Sequence, residues 1–274
     1  GRSLAVSFPA SREQPMRIDR ITRSGESSNL LQLGQKIENY DEIIFPWGAQ
    51  GLKWSPDGRY LAYYLRPNSG SLSADEVAIQ LLDLHQPGRT LDLGTGLKYP
   101  EWLAWSPDSR QLAFIYGGNR FVDTTKRLFI VNADDGRIKD CGSIGQVDTQ
   151  PAWTATPPYQ VAFCRGLEGD WWDQAENQIQ NNKPLIPGQG IWVGDSQNQQ
   201  PLIAASADAA DYAPCFSPDG KHLVFLRLDR ANGGSLYLTS SKGGKTVELL
   251  RGLTGSPGYY GNYYPGWASI YWDR

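Results

Sequence analysis

The sequence has few of the side chains from which most catalytic and metal-binding sites are built. Its 274 residues include two histidines, three cysteines and one methionine. With only His85 and His222 available, a serine or cysteine nucleophile has almost no general base in this chain. The G-x-S-x-G elbow is absent, as is any histidine or cysteine spacing typical of a metal site. We therefore expect a protein that is not an enzyme and that uses no cofactor and no metal.

The three cysteines argue against a disulfide framework, because their number is odd and they lie far apart in the sequence. Cys141, Cys164 and Cys215 are each flanked by residues that predict a strand or a strand end. Buried free thiols are the simplest interpretation, and one disulfide with one free thiol is the alternative.

The chain also lacks a large excess of charge and a long apolar run. It has 26 lysines and arginines against 29 aspartates and glutamates, for a formal net charge of -3. We expect no nucleic-acid partner, because phosphate backbones attract a clear basic excess. No apolar run approaches the roughly 18 residues that span a bilayer, so the sequence predicts no membrane-spanning segment.

Glycine, proline and aromatic residues are abundant. There are 30 Gly, 18 Pro, 10 Trp and 14 Tyr residues. Aromatic side chains suit pleated surfaces, while glycine and proline suit tight turns. The composition predicts an all-β protein with many short strands, and only residues 171–182 could form a short helix.

One motif recurs four times along the chain. Its copies are LKWSPDGRYLAYYL from residue 52, LAWSPDSRQLAFIY from residue 103, PAWTATPPYQVAFCR from residue 151 and PCFSPDGKHLVFLR from residue 214. Their aromatic residues recur at intervals of about fifty residues, at Trp54, Trp105, Trp153 and Phe216. This period indicates a repeat architecture.

Each copy predicts a strand, a tight turn and a second strand. Proline presets the turn, aspartate bonds forward to backbone amides, and glycine supplies a positive φ. Two further strand segments follow each copy, and four strands per repeat are typical of a β-propeller blade. The N-terminal segment adds three strands and the C-terminal segment one, with Trp267 or Trp272 as its aromatic residue. We expect a single propeller domain, residues 1–274, with five blades, closed by pairing of these terminal strands.

The motif resembles the WSPDG repeat of the TolB-like, WD40-like β-propeller family, and the resemblance covers essentially the whole chain. The copy at Trp153 departs from it, because TATPPY replaces the Ser-Pro-Asp turn. Such propellers usually have six blades, so six is the alternative to five. The small domain that precedes the propeller in TolB has no counterpart here, so a role in the Tol system is not implied. A comparison with prolyl oligopeptidases fails, because no hydrolase domain follows the repeats in this sequence.

Resemblance to propellers in general implies that the motif turns share one face and that the other loops share the opposite face. Two loops of the opposite face are rich in aromatic residues, one of them an unusually long insertion at 166–189. Such loops are typical of binding surfaces. We therefore expect a non-catalytic protein-binding platform. The predicted binding residues are Trp171, Trp172, Tyr259, Tyr260, Tyr263, Tyr264, Arg120, Glu101 and Asp211.

Glycan binding or glycoside hydrolysis is the alternative function, because some five-bladed propellers place catalytic carboxylates in a central funnel. The candidate carboxylates are Glu101, Asp123, Asp148 and Asp211. The Arg-Asp-Pro motif associated with furanosidase propellers is absent, which favours the protein-binding platform. Quenching of tryptophan fluorescence by oligosaccharides would distinguish the two functions.

The location follows from the resemblance and from the start of the sequence. A TolB-like protein implies export, and a chain that begins at Gly1 without methionine is consistent with removal of a leader. We expect a periplasmic or extracellular monomer. Its partner would be an unidentified protein or peptide, or in the alternative function a glycan.

Overall fold

The computed structural model describes most of the chain. The described residues are 3–39, 41–86, 88–169, 180–181, 183, 186, 188–230, 233–255, 270 and 272. The chain divides into two compact units, Gly1–Pro100 and Glu101–Arg274, and each is described by itself. The single-domain organisation stays a prediction.

Unit 1 contains two antiparallel sheets in which strands adjacent in sequence are also adjacent in the sheet. The first sheet has three strands, β1 (Ser3–Phe8), β2 (Met16–Thr22) and β3 (Ser27–Leu33). The second has four strands, β4 (Gly48–Trp54), β5 (Tyr60–Arg66), β6 (Val77–Asp83) and β7 (Thr90–Gly96). The two sheets enclose an apolar core that includes Met16, Ile18, Leu61 and Tyr63.

Unit 2 contains three four-stranded antiparallel sheets with the same strand order. The third sheet consists of β8 (Leu103–Trp105), β9 (Gln111–Tyr116), β10 (Arg127–Asn132) and β11 (Ile138–Asp140). The fourth consists of β12 (Gln146–Trp153), β13 (Val161–Leu167), β14 (Gly190–Gly194) and β15 (Gln199–Ile203). The fifth consists of β16 (Ala210–Phe216), β17 (His222–Arg230), β18 (Gly233–Ser240) and β19 (Val247–Thr254).

The five sheets confirm the predicted all-β propeller fold and its blade count of five. The N-terminal sheet has three strands among the described residues, as the sequence predicted. A short helix, α1 (Gly70–Asp75), was not predicted; the side chain of Ser69 caps it by accepting a hydrogen bond from the Leu72 amide. The helix predicted at 171–182 lies outside the described residues except at 180 and 181.

The Ser-Pro-Asp turns are held by hydrogen bonds that recur from copy to copy. In the first copy, Ser55 Oγ donates to Asp57 Oδ1 at 2.5 Å and accepts from the Tyr60 amide at 2.9 Å. The Arg59 amide donates to the same Asp57 oxygen. The equivalent serine-to-aspartate bonds of the third and fifth sheets measure 2.6 Å. The motif residues are therefore structural, as the sequence predicted.

Two tryptophans of unit 2 donate indole hydrogen bonds to first strands of its sheets. The indole of Trp153 donates to the Ala104 carbonyl at 2.8 Å, one residue before Trp105. Trp272 likewise donates to the Cys215 carbonyl at 3.3 Å, one residue before Phe216. Trp272 therefore fills the aromatic position that the sequence left open. Apart from residues 270 and 272, the segment from 256 to 274 lies outside the described residues, so the pairing of a C-terminal strand with the N-terminal segment stays a prediction.

A β-bulge interrupts three of the first strands. The register shifts occur between Gln50 and Lys53 in β4, Thr149 and Ala152 in β12, and Tyr212 and Cys215 in β16. Each shift contains a residue with positive φ, which is Gly51 at 59°, Gln150 at 51° or Ala213 at 52°. Because a bulge redirects side chains, it determines which residues face inward at the strand ends opposite the motif turns.

Candidate functional site

The predicted binding residues have very different surroundings. Trp171, Trp172, Tyr259, Tyr260, Tyr263 and Tyr264 lie outside the described residues. Glu101 is exposed in a short 3-10 turn, Pro100–Trp102, and Arg120 is half-buried in the β9–β10 loop. Asp211 is buried and paired with an arginine. These nine residues therefore stay a prediction as a binding site.

The most distinctive chemistry of unit 2 lies where its sheets end opposite the motif turns, and we call this region the polar end. Asp148 and Arg165 are cross-strand partners, and Arg165 Nε and Nη2 donate to the two carboxylate oxygens at 2.5 and 2.9 Å. Both side chains are almost completely buried. The Leu128 amide donates to Asp148 Oδ2 at 2.9 Å. Burial raises the pKa of the Asp148 carboxyl, and the guanidinium opposes that rise.

The fifth sheet repeats this pair at the equivalent register. Asp211 lies opposite Arg227, whose Nε and Nη2 donate to its carboxylate at 2.7 and 2.8 Å. Burial again raises the pKa of the carboxyl, and the bonded arginine lowers it. Asp148 and Asp211, two of the predicted candidate carboxylates, are thus neutralised by bidentate arginines and are not free acids or bases.

Two glutamines connect the polar ends of the fourth and fifth sheets. Gln189 Nε2 donates to the Asp211 carbonyl at 2.6 Å, and the Asp211 amide donates to the Gln189 carbonyl at 2.9 Å. Gln150 Oε1 accepts from the Ala213 amide at 2.9 Å, which joins the two bulges. The Gln150 bond satisfies the backbone amide of Ala213, which lies within the bulge of β16, and the Gln189 bonds satisfy the backbone groups of Asp211.

Asp123, the remaining buried candidate, has different surroundings. Its side chain is 2% exposed, and its Oδ1 has no hydrogen-bond partner among the residues that the structure describes. Burial raises its pKa to about 6; nearby Lys126 lowers the value and Glu168 raises it. Lys126 is buried too, but its ammonium donates to the carbonyls of Gly118, Thr124 and Asn119 at 2.7, 2.9 and 3.2 Å. A carboxyl with this pKa can exchange a proton near neutral pH.

Tyr212 lies close enough to Asp123 to interact with it electrostatically. Its hydroxyl is buried and has no hydrogen-bond partner in the described part of the chain, although the Ile186 amide is near enough to lower its pKa. Burial is the largest influence and raises that pKa. Asp123 Oδ1 and the Tyr212 hydroxyl are therefore two buried polar groups with unused hydrogen-bonding capacity.

The thiols and histidines of unit 2 do not supply a nucleophile and a base. Cys141, Cys164 and Cys215 are free, as predicted, and burial raises all three pKa values, that of Cys141 to about 11. His222 begins β17, next to the motif turn and at the far end of its sheet from the polar end. Among the described residues, no group of three metal-ligating side chains occurs, and no helix is long and apolar enough to cross a membrane.

Sequence reasoning named the acids but missed the arginines that neutralise two of them. A signal was present, because Asp148 and Asp211 each precede the repeated aromatic residue by five positions, at Trp153 and Phe216. Which arginine faces each aspartate depends on the bulge, and the bulge has no clear sequence pattern when its residue is Gln150 or Ala213 rather than glycine.

Two curated proteins are similar to this chain in sequence. Dipeptidyl-peptidase 5 of Porphyromonas gingivalis is 32% identical over 120 residues, which cover 40% of this chain and 17% of that protein. The uncharacterized peptidase YuxL of Bacillus subtilis is 25% identical over 210 residues, which cover 70% of this chain and 31% of that protein. The chain thus spans less than a third of the length of either relative.

These relatives overturn one prediction. The chain was expected not to be an enzyme, and that prediction is wrong by this comparison, because both curated relatives are named peptidases. The prediction relied on the scarcity of histidine and cysteine. The similar segment makes up only 17% and 31% of the two relatives. The scarcity of histidine and cysteine in this chain therefore says nothing about the remaining parts of such a peptidase.

Solved structures support the fold. The tricorn protease superposes with a TM-score of 0.57 at 11% identity, over 93% of this chain and 26% of that one. No family model matches the chain. At such low identity the likeness concerns the fold alone, and it agrees with the repeated motif and the five sheets. The chain therefore has a β-propeller fold, and its repeated motif resembles the WSPDG repeat of TolB-like propellers.

Proposed function

We propose that this propeller is part of a peptide-hydrolysing enzyme and helps to bind its peptide substrate. The observation that carries the proposal is the similarity to curated peptidases, which extends over 70% of this chain for YuxL. The predicted protein-binding platform thereby narrows to peptide binding within an enzyme.

The polar end supports this role through its unused polar groups. A peptide presents amide N–H and carbonyl groups along its length, and these need partners when they leave water. Asp123 Oδ1 can accept a hydrogen bond, and the Tyr212 hydroxyl can donate or accept one. Both lie in unit 2 beside backbone that hydrogen bonds hold in place.

The ion pairs and glutamines of the polar end would hold its backbone and side chains in fixed positions. Arg165 and Arg227 each fix a buried aspartate with two hydrogen bonds, and Gln189 ties the fourth sheet to the fifth. A binding site gains affinity when its groups are held in position before the ligand arrives. The propeller would therefore select and hold the peptide.

Activity measurements test the proposal directly. A panel of fluorogenic dipeptidyl amides is offered to the native-length protein purified from its source. We expect hydrolysis, and we expect Asp123→Asn to lower kcat/KM about tenfold, as the loss of one substrate hydrogen bond would. Asp208→Asn, at an exposed aspartate of unit 2, is the matched control. A native-length protein that cleaves no peptide overturns the proposal.

The predicted periplasmic or extracellular location is compatible with this function, because secreted peptidases meet peptides outside the cytoplasm. It remains part of the proposal. Fractionation of the source cells that finds the protein only in the cytosol would contradict it.

A further inference from the structure

An open groove lies between two sheets of unit 2. It runs between β11 of the third sheet and the face of the fourth sheet formed by β13, β14 and β15. Its volume is about 400 Å³, which falls within the range of small-molecule sites. We call it the Trp192 groove, after the half-buried indole on its wall.

Arg165 lines the groove, and four of its five N–H groups already donate to other residues of unit 2. Besides its two bonds to Asp148, it donates to the Cys141 carbonyl and to Gln199 Oε1, both at 2.9 Å. Its guanidinium carbon lies 4.7 Å from the ring centre of Phe163 and 5.2 Å from that of Trp192. The guanidinium is therefore held rigidly, its charge is neutralised by Asp148, and it fixes the side chains of Gln199 and Trp192.

The groups around Arg165 are unused. Six side-chain groups belong to residues that line the groove: the hydroxyls of Ser143 and Ser196, the side-chain amide of Gln197, the side-chain NH2 of Gln199, the Trp192 indole N–H and the Lys139 ammonium. None of these groups makes a hydrogen bond to another residue in the part of the chain that the structure describes. They offer donors and acceptors together, because the two hydroxyls and the Gln197 amide can do both.

The charges in and beside the groove balance. Asp140 is paired with Arg127 at 2.7 Å and also accepts from the Gly142 amide. Lys139 interacts electrostatically with Asp195. The backbone amides of Asn198 and Gln197 are the main cause of the lowered pKa of Asp195, and Lys139 lowers it least. No net charge remains to select an ion, so a neutral polar ligand fits better than a carboxylate or an ammonium group.

We infer that the Trp192 groove is a binding site for a neutral saccharide. Each sugar hydroxyl donates and accepts a hydrogen bond, which matches the mixed serine and amide groups of the wall. The C–H face of a sugar ring is apolar, and the half-buried Trp192 places an aromatic side chain in the lining of the groove. This site is distinct from the loop residues that the sequence suggested for glycan binding, and it does not depend on the proposed peptidase function.

Calorimetric titration of the 274-residue chain tests the inference with three disaccharides as probes: cellobiose, maltose and N,N′-diacetylchitobiose. We expect saturable binding of at least one. Trp192→Ala and Gln197→Ala should each weaken it about tenfold, as the loss of one contact would. Gln200→Ala is the matched control, because Gln200 is exposed on the same strand as Gln199 but points to the other face of the sheet.

Three outcomes would overturn the inference. They are the absence of binding by all three probes, binding that Trp192→Ala and Gln197→Ala leave unchanged, and a response to sodium acetate alone. If Trp192→Ala does not fold, Trp192→Phe keeps an aromatic ring while removing the indole N–H, and Gln197→Ala changes an exposed turn residue. Dipeptidyl amide hydrolysis by the same variants should be unchanged, which separates this result from a failure of the proposed function.

Discussion

Strand β4 of unit 1 and strands β12 and β16 of unit 2 have the same bulge with different residues beside it. In β4, the second cross-strand pair before the bulge is Ala49 with Leu65, and both are buried. In unit 2 the equivalent pairs are Asp148 with Arg165, and Asp211 with Arg227. The same backbone arrangement therefore accepts an apolar pair or an ion pair.

This difference shows which features of the strand the fold requires and which it does not. A buried ion pair is weak evidence for stability, because desolvation of both charges offsets their attraction. Since unit 1 forms the same strand geometry with alanine and leucine, the fold does not require charge at this position. We therefore interpret the aspartate and arginine pairs of unit 2 as supports for a polar binding region.

The largest expected change in stability comes from removing one arginine of an aspartate–arginine pair. A second substitution then replaces the pair with the apolar residues found at the equivalent position of unit 1. Arg165→Leu should lower the free energy of unfolding by about 3 to 5 kcal/mol, because Asp148 is left buried without a counter-charge. Adding Asp148→Ala, which copies the Ala49 and Leu65 pair, should recover much of that loss. Urea denaturation of the single and double variants measures both values. If Arg165→Leu alone were as stable as the parent, the buried Asp148 would not depend on Arg165 as its counter-charge.

A second prediction contrasts Asp123, which has no arginine, with the paired aspartates. Its folded-state pKa of about 6 lies above the ordinary value of 3.8, so the folded protein binds more protons between these values. Stability from this group is therefore lost as pH rises from about 4 to 6, by up to roughly 3 kcal/mol.

The Asp123→Asn variant should consequently gain stability relative to the parent as pH rises. Urea denaturation at pH 4 and pH 7 gives this difference, and contributions from Asp148 and Asp211 cancel because both proteins contain them. Asp208→Asn serves as the control and should show no such trend. A stability difference that does not change with pH would rule out a raised pKa at Asp123.

A third prediction concerns the bulge of unit 1. Gly51 has a φ of 59°, and a Cβ at this position would lie 2.8 Å from Cδ2 of the Tyr64 ring. Gly51→Ala should therefore reduce stability by about 1 to 3 kcal/mol through strain and overpacking. Thermal and urea denaturation measure the change, and an unaltered midpoint would show that the bulge can relax.

The smallest expected effect comes from the equivalent residue of the fifth sheet. Ala213 has a φ of 52°, which is unfavourable for a residue with a Cβ. Ala213→Gly should raise stability by about 0.5 to 1 kcal/mol, because relief of strain exceeds the entropic cost of glycine. Ala104→Gly, in a regular strand, is the control and should lower stability by a similar amount. If both variants were less stable than the parent, the backbone at Ala213 would not be strained.

The fold could be predicted well because its evidence is local and repeated. The Ser-Pro-Asp turns form through bonds between residues two to five positions apart, such as Ser55 with Asp57 and with Tyr60. The candidate site could be predicted only in part. Asp123, Asp148 and Asp211 were named, but nothing in their local sequence indicates that the last two each face a bidentate arginine while Asp123 has only a nearby lysine.

The sequence by itself determined the all-β class, the period of the sheets and their turns, because side-chain alternation and turn chemistry act over a few residues. Only the tertiary structure decided which carboxylates are neutralised. Asp148 meets Arg165 across 17 residues of chain, in a register that the bulge at Gln150 sets. Asp123 has Lys126 three residues away, yet that ammonium is surrounded by backbone carbonyls of its own loop. Ion pairing depends on positions in space, and these follow from packing rather than from proximity in sequence.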